Sequence, residues 1–324
     1  MRYASLLPRL ATFFGGLIFL TLAQAEPYPT KAVRVLVPNT AGSAADVIAR
    51  LVGHRLADSW KQAVVVENRA GAGGIVAADA VAKSVADGQT LLLGADGPIT
   101  ILPSMASSLP YDPKRDLVPI VSLGETDFVL VAYPKAGFRT LQDFIRAAKA
   151  NPGKYNYASA GNGSPQHFGA ELLKQTAGIY LTHIPYRGGP LGMADVVAGQ
   201  VDLMFIAVGP ALAHIQSGRL VALATGGESR HPLLPNVPTV AESFPGFRAG
   251  TWFGLFAPAG TPPAVVAEIS AEAGRILADS GLRGELAAQG IRATGYPAGR
   301  FQELVGIETR KYAALAKSAG IHAE

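Results

Sequence analysis

Twice in this chain a short apolar strand runs into a loop of small residues and then into a well-marked helix start. This arrangement restricts the possible folds more than any other feature. The first instance is residues 33–37 (VRVLV), a continuous apolar run stopped by Pro38 and followed by Asn39-Thr40-Ala41-Gly42. A run without polar alternation suits a parallel strand buried on both faces. Ser43 then reads as an N-cap with Asp46 three residues on, a relaxed capping box. Val47, Leu51, Val52 and Leu56 recur at helical spacing, so the helix extends to about Trp60. The second instance is residues 155–178. Strand-like Tyr155 and Tyr157 lead through Ser159-Ala160-Gly161-Asn162-Gly163 to Ser164 as N-cap, Pro165 at the first helical position and Gly178 at the stop. A loop of this kind leaves backbone N–H groups at the positive end of a helix dipole, which suits an anion or a carboxylate. Alone it carries little weight, because the same turn recurs in α/β proteins without a ligand.

The rest of the chain continues the alternation. Strands at 63–67 and 90–93 flank a helix at about 75–83, the pattern of an α/β domain with a mainly parallel sheet. Ligands of such sheets collect at the carboxyl ends of the strands, where these loops lie. Residues 103–119 are irregular. Strand-like segments at 120–123 and 128–132 follow, and the chain is expected to cross into a second domain near them. A capping box at Thr140-Leu141-Gln142-Asp143 opens a new α/β series with strands at 201–207 and 221–225. After a proline-bearing loop at 226–246, residues 252–257 return the chain, and helices are expected at 262–279, 281–289 and 299–319. The expected division is residues 26–126 plus 247–324 in one discontinuous domain and 127–246 in the other.

Residues 1–25 read as an export signal: Arg2 and Arg9, an apolar stretch at 10–22, and Ala23-Gln24-Ala25 as cleavage site. The stretch is shorter than the ~20 residues that span a bilayer. The expected product is a 299-residue periplasmic chain cut after Ala25, the alternative being a retained anchor. That product carries 26 basic and 24 acidic side chains, too even a balance to suggest a nucleic-acid partner. With no cysteine in the chain, disulfides, thiol chemistry and a lipidated N-terminus are excluded.

An exported α/β chain invites an enzymatic reading, yet the usual constellations are missing. There is no G-x-S-x-G, and Pro165 follows Ser164 where a nucleophile elbow needs a donor N–H. Gly71-Ala72-Gly73-Gly74-Ile75-Val76 has Val76 where a dinucleotide fingerprint needs its third glycine. The six histidines show no metal-ligand spacing. Neither a cofactor nor a metal is expected, and no catalytic residue is assigned.

At His183-Ile184-Pro185-Tyr186-Arg187-Gly188-Gly189-Pro190 and Asp195-Val196-Val197-Ala198-Gly199-Gln200-Val201-Asp202 the chain resembles a known family. It is similar to the extracytoplasmic solute-binding receptors of the tripartite tricarboxylate transporters, the Bug receptors. Tyr28-Pro29, Val65-Val66-Glu67-Asn68-Arg69, Leu109-Pro110-Tyr111-Asp112, residues 157–164 and Ala257-Pro258-Ala259-Gly260-Thr261-Pro262 extend the likeness over the whole mature chain. The resemblance implies a two-domain periplasmic-binding-protein fold (type II) with the ligand cleft between the domains. It implies a monomer that closes by hinge motion on a small mono- or dicarboxylate, amino- or hydroxy-substituted or not, and delivers it to membrane subunits. A sensor that presents the closed form to a membrane kinase is the alternative. By the same resemblance the ligand contacts are Ala41, Gly42 and Ser43; Asp96 and Gly97; Ser159, Ala160, Gly161, Asn162 and Ser164; Tyr186, Arg187 and Gly188; and Asp202 and Phe205. Ser43 and Ser164 read equally as helix caps. Asp96 faces either the ligand, where it would suit an amine or hydroxyl, or the solvent.

Overall fold

The computed structural model describes residues 28–106, 108–319 and 321, so the export signal and cleavage site expected at residues 1–25 lie outside the described residues. Among the described residues ten strands form one sheet: β1 (Val33–Val37), β2 (Val64–Asn68), β3 (Thr90–Ala95), β4 (Leu117–Ala132) and β5 (Asn156–Ser159), then β6 (Thr182–Pro185), β7 (Leu203–Ala207), β8 (Val221–Thr225), β9 (Gly250–Pro258) and β10 (Arg292–Ala293). The main order is β2-β1-β3-β9-β4-β7-β5-β6, with β8 and β10 also paired to β4. The outer pairs β1–β2, β1–β3, β5–β6 and β5–β7 are parallel, as the alternation of strands and helices requires. Every pairing of β4 and β9 is antiparallel, so the sheet is mixed.

The α-helices of the described residues are α1 (Ala44–Trp60), α2 (Ile75–Ala82), α3 (Leu102–Met105), α4 (Pro113–Asp116), α5 (Leu141–Ala150) and α6 (Pro165–Ala177), then α7 (Gly189–Ala198), α8 (Val208–Gln216), α9 (Pro263–Ala278), α10 (Ser280–Ala288) and α11 (Ala298–Ala319). Successive residues of β1 point to opposite faces. Val33, Val35 and Val37 pack with Ile48, Val52 and Leu56 of α1, whereas Leu36 packs with Ala77, Ala78 and Val81 of α2. Both faces of β1 thus meet helices, with Arg34, on the face of Leu36, left exposed beside Glu67 of β2. Among the described residues no helix is long and apolar enough to cross a membrane.

The largest departure from the sequence expectation is β4. The segments at 120–123 and 128–132 are one strand of 16 residues. Pro119 is accommodated because the register against β9 slips between Pro119 and Val121, and again between Ser122 and Gly124. The polar stretch Gly124-Glu125-Thr126-Asp127 stays in the sheet by pairing with residues 250–253 of β9. Beyond Asp127 the same strand pairs with β7 and β8. At this waist three chain passages meet. Phe128 N–H donates to Ala249 O (3.1 Å), Gly226 N–H to Phe128 O (2.7 Å) and Ala249 N–H to Gly226 O (2.9 Å).

Candidate functional site

The carboxyl ends of β1, β3, β5, β6 and β7 border one cleft of about 440 Å³. That volume lies within the ~300–1,000 Å³ of small-molecule sites. On one side stands the N-terminus of α1. Ser43 Oγ accepts from Asp46 N–H at 3.3 Å, so the cap is real. The box is not closed in the expected way, because Ser43 N–H already donates to Thr40 O (3.3 Å). The Asp46 carboxylate instead accepts from Gly42 N–H (3.0 Å), Arg50 Nε (2.9 Å) and Asn68 Nδ2 (3.0 Å). Burial alone would raise its pKa, but these hydrogen bonds outweigh burial and hold the carboxyl below the usual range. Asn68 also donates to Asn39 O at 3.0 Å, which ties the loop to β2. Ala44 and Ala45, in the first turn of α1, border the cleft beside Ser43. Their N–H groups are among those a helix start leaves without intrahelical partners.

Facing it is the loop between β5 and α6. Gly161 (φ +118°) and Gly163 (φ +73°) take conformations that favour glycine, and Ser164 Oγ accepts from His167 N–H at 3.3 Å. Beneath the loop Ser159 is fully buried. Its hydroxyl accepts from Gly161 N–H (3.0 Å) and shares a 2.6 Å hydrogen bond with His183 Nε2. The His183 ring stacks on His167 at 4.2 Å and on Tyr157 at 4.8 Å. Gly163 N–H points to His167 Nδ1 at 3.4 Å. Burial pushes both imidazoles down to about 4, so both are neutral at pH 7. The stack forms a rigid, uncharged floor under the loop.

A third helix N-terminus borders the same cleft. Gly188 (φ +133°) precedes α7, and Tyr186, Arg187 and Gly188 all lie on the wall. The Tyr186 hydroxyl donates to Asp195 Oδ2 at 2.5 Å, and burial together with that carboxylate pushes its pKa up to about 12. Helix starts carry roughly half a positive charge each, so three of them favour an anion.

Of the residues expected from the sequence, Ser43, Gly97, Ala160, Gly161, Asn162, Ser164, Tyr186, Arg187 and Gly188 border the cleft together. Six do not. Ala41 and Gly42 are exposed outside the cleft, with the Gly42 N–H spent on Asp46. Ser159 supports the loop from below. Asp202 sits at the opposite end of the sheet, where Asn156 N–H donates to its carboxylate (2.9 Å) and its own N–H donates to Asn156 Oδ1 (2.9 Å). Phe205 is buried against Phe247 at 6.2 Å, and its neighbours Ile206 and Ala207 border the cleft instead.

Asp96 faces neither ligand nor solvent. It is 1 % exposed, and its carboxylate lies within 3.4 Å of Trp252 N–H and of Thr100 Oγ1. It borders a separate polar cavity of about 50 Å³ with Glu308, Lys311 and Tyr312 of α11. Burial first, and then Glu308, push its pKa up to about 7. Thr251 borders both cavities and forms part of the partition.

Sequence reasoning also missed Thr40, Ala44, Ala45, Gln166, Phe128, Thr251 and Phe253, all on the cleft wall. Gln166 was findable, since it directly follows the capped Ser164-Pro165 start. Phe128 and Phe253 carry no such signal, because an apolar residue in a strand reads as core. Among the described residues no group of three or more His, Asp or Glu side chains is placed to hold a metal ion.

Comparison with known proteins agrees with this architecture. The sequence model of the tripartite tricarboxylate transporter family receptor matches residues 48–321. Protein BugT of Bordetella pertussis is 34% identical over 322 residues, which cover 99% of this chain and 99% of BugT. The structure described as R. palustris Rpa4515 with adipate superposes with a TM-score of 0.88 at 30% identity, covering 91% of this chain and 99% of that one. MatC (Rpa3494) from Rhodopseudomonas palustris with bound malate gives 0.84 at 31% identity, covering 89% and 99%. The chain belongs to the tripartite tricarboxylate transporter receptor family of solute-binding proteins.

Proposed function

We propose that this protein captures a small carboxylate in the cleft and delivers it, as an exported periplasmic monomer, to the membrane subunits of a tripartite transporter. The observation that carries this reading is the convergence of three helix N-termini, those of α1, α6 and α7, on one cleft. In this reading Ser43, Ala44, Ala45, Asn162, Ser164 and Gly188 hold the carboxylate through backbone N–H groups and hydroxyls, and Arg187 adds a cation at the wall. The adipate and malate bound by two relatives support the ligand class. The two domains divide near the waist where Phe128, Gly226 and Ala249 hydrogen-bond, and closure is a hinge motion about that point. A thermal-shift screen of mono-, di- and tricarboxylates tests the reading, because a ligand that binds only the folded state must raise the melting temperature. If no acid in the screen does so at millimolar concentration, the receptor reading is wrong.

A further inference from the structure

The chemistry of the cleft wall narrows the class of acid, an argument that rests on the carboxylate reading above. We infer that the ligand is a carboxylic acid with a hydrocarbon body and without an ammonium group, so that this receptor discriminates against amino acids.

Arg187 is the only formally charged side chain among the described residues of the cleft wall. No Asp or Glu among the described residues borders it. Asp96, between the cleft-lining Ala95 and Gly97, turns into the second cavity behind Thr251 and is spent on Trp252 N–H and Thr100, and Asp46, next to the cleft-lining Ala45, is spent on Gly42 N–H, Arg50 and Asn68. The phenol of Tyr186 is spent on Asp195. Two backbone oxygens near the cleft, those of Gly73 and Asn162, are crowded by glycine backbone. A Cβ built on Gly97 would stand 2.8 Å from the first, and one built on Gly73 would stand 2.9 Å from the second. An ammonium brought into this cleft would lose its water and meet three positive helix ends with no counter-charge, which is strongly unfavourable.

The floor points the same way. Phe128 on β4, Phe253 on β9 and Ile206 on β7 are all almost fully buried where they border the cleft, and Leu102 and Pro210 continue the apolar surface. A carboxylate held at the helix starts would lay its carbon chain on these groups. Hydrocarbon gains there by leaving water, and an added polar group loses.

Calorimetry on the purified protein with matched pairs tests this: adipate against 2-aminoadipate, and 3-phenylpropanoate against phenylalanine. The expected result is that the unsubstituted acid of at least one pair binds, and binds about 100-fold or more tighter than its amino partner, the scale on which an apolar pocket rejects an added hydroxyl. An amino partner that binds as tightly as the plain acid overturns the inference while leaving the receptor reading standing. Failure of all four acids overturns the inference, and failure of every acid in the thermal-shift screen as well overturns the receptor reading too. Ile206→Asp supplies a second arm, since a carboxylate on the wall should shift the preference toward the amino partner. A folded Ile206→Asp protein with unchanged preference would show that missing counter-charge is not the cause.

Discussion

Thr40 and Gly188 meet across the mouth of the cleft so closely that a Cβ built on Gly188 would stand 2.5 Å from Thr40 Oγ1 and 2.8 Å from its methyl carbon. The two residues belong to loops on opposite sides of the β4 waist, one after β1 and the other after β6. Thr40 Oγ1 is buried and makes no hydrogen bond, so this contact is one of steric fit.

Gly188→Ala should therefore hold the loops apart. Overpacking of this kind costs about 1–3 kcal/mol, and tenfold in affinity corresponds to about 1.4 kcal/mol. The expected loss is about 10- to 100-fold in ligand affinity by calorimetry, with a larger radius of gyration in solution scattering with ligand present. Thr40→Gly in the same chain removes the three atoms nearest the new methyl and should restore part of the affinity. The rest stays lost because alanine is strained at φ +133°. Unchanged affinity in the single variant would mean that this contact does not bear on the bound form.

Ser43 and Ser164 cap α1 and α6 from opposite halves of the sheet. Each serine-to-alanine change should cost about 1 kcal/mol in urea unfolding without ligand. The two costs should add, because the helices share no residue in these hydrogen bonds. A double variant that loses much more than the sum would mean that the caps are coupled through the cleft.

Asp96 makes stability depend on pH. Its pKa rises from 3.8 to about 7 in the fold, mainly through burial. Between those values the native protein keeps a proton that the unfolded chain has released. Stability from this group is therefore full below pH 3.8, falls as pH rises, and is gone above about 7. Asp96→Asn should flatten that slope and raise stability at pH 8 by on the order of a few kcal/mol. Parallel melting curves for the two proteins from pH 5 to 8 would contradict the assignment.

His167 and His183 act with the opposite sign. Their pKa values are pushed down to about 4 by burial, from 6.5, so the unfolded chain binds protons that the fold refuses. Their contribution is present above pH 6.5 and is lost as pH falls toward about 4. Two rings 4.2 Å apart also cannot both take a charge cheaply. His183→Gln should give a protein less stable at pH 7, having lost the Ser159 hydrogen bond, but with a shallower decline from pH 6.5 to 4.5 in thermal melts.

The legible parts of the molecule were those decided by local chemistry. The caps at Ser43, Thr140 and Ser164 and the glycine stop at Gly178 each follow from residues within one turn. What failed depended on distant partners. β4 reads as two strands until β9 is there to receive Gly124-Glu125-Thr126-Asp127. Asp202 belongs to Asn156, 46 residues earlier, and Asp96 to a cavity completed by α11 near the end of the chain. Nothing local tells which way the Asp96 side chain turns as the strand ends, and nothing in the apolar runs separates Phe128 and Phe253 from ordinary core.

The long strand β4 limits how this protein can be taken apart. It is hydrogen-bonded to β9 and β10 before Asp127 and to β7 and β8 after it. A chain severed between Asp127 and Phe128 would leave each piece with half of a shared spine and a raw end at its central strand. The second piece would keep the hydrogen-bonded ring of Phe128, Gly226 and Ala249 but lose the half-strand that leads into it. Open strand edges of that sort invite pairing with other chains. Neither piece is a portable module: transplanting one lobe onto a foreign partner would require carrying both lengths of β4 with it.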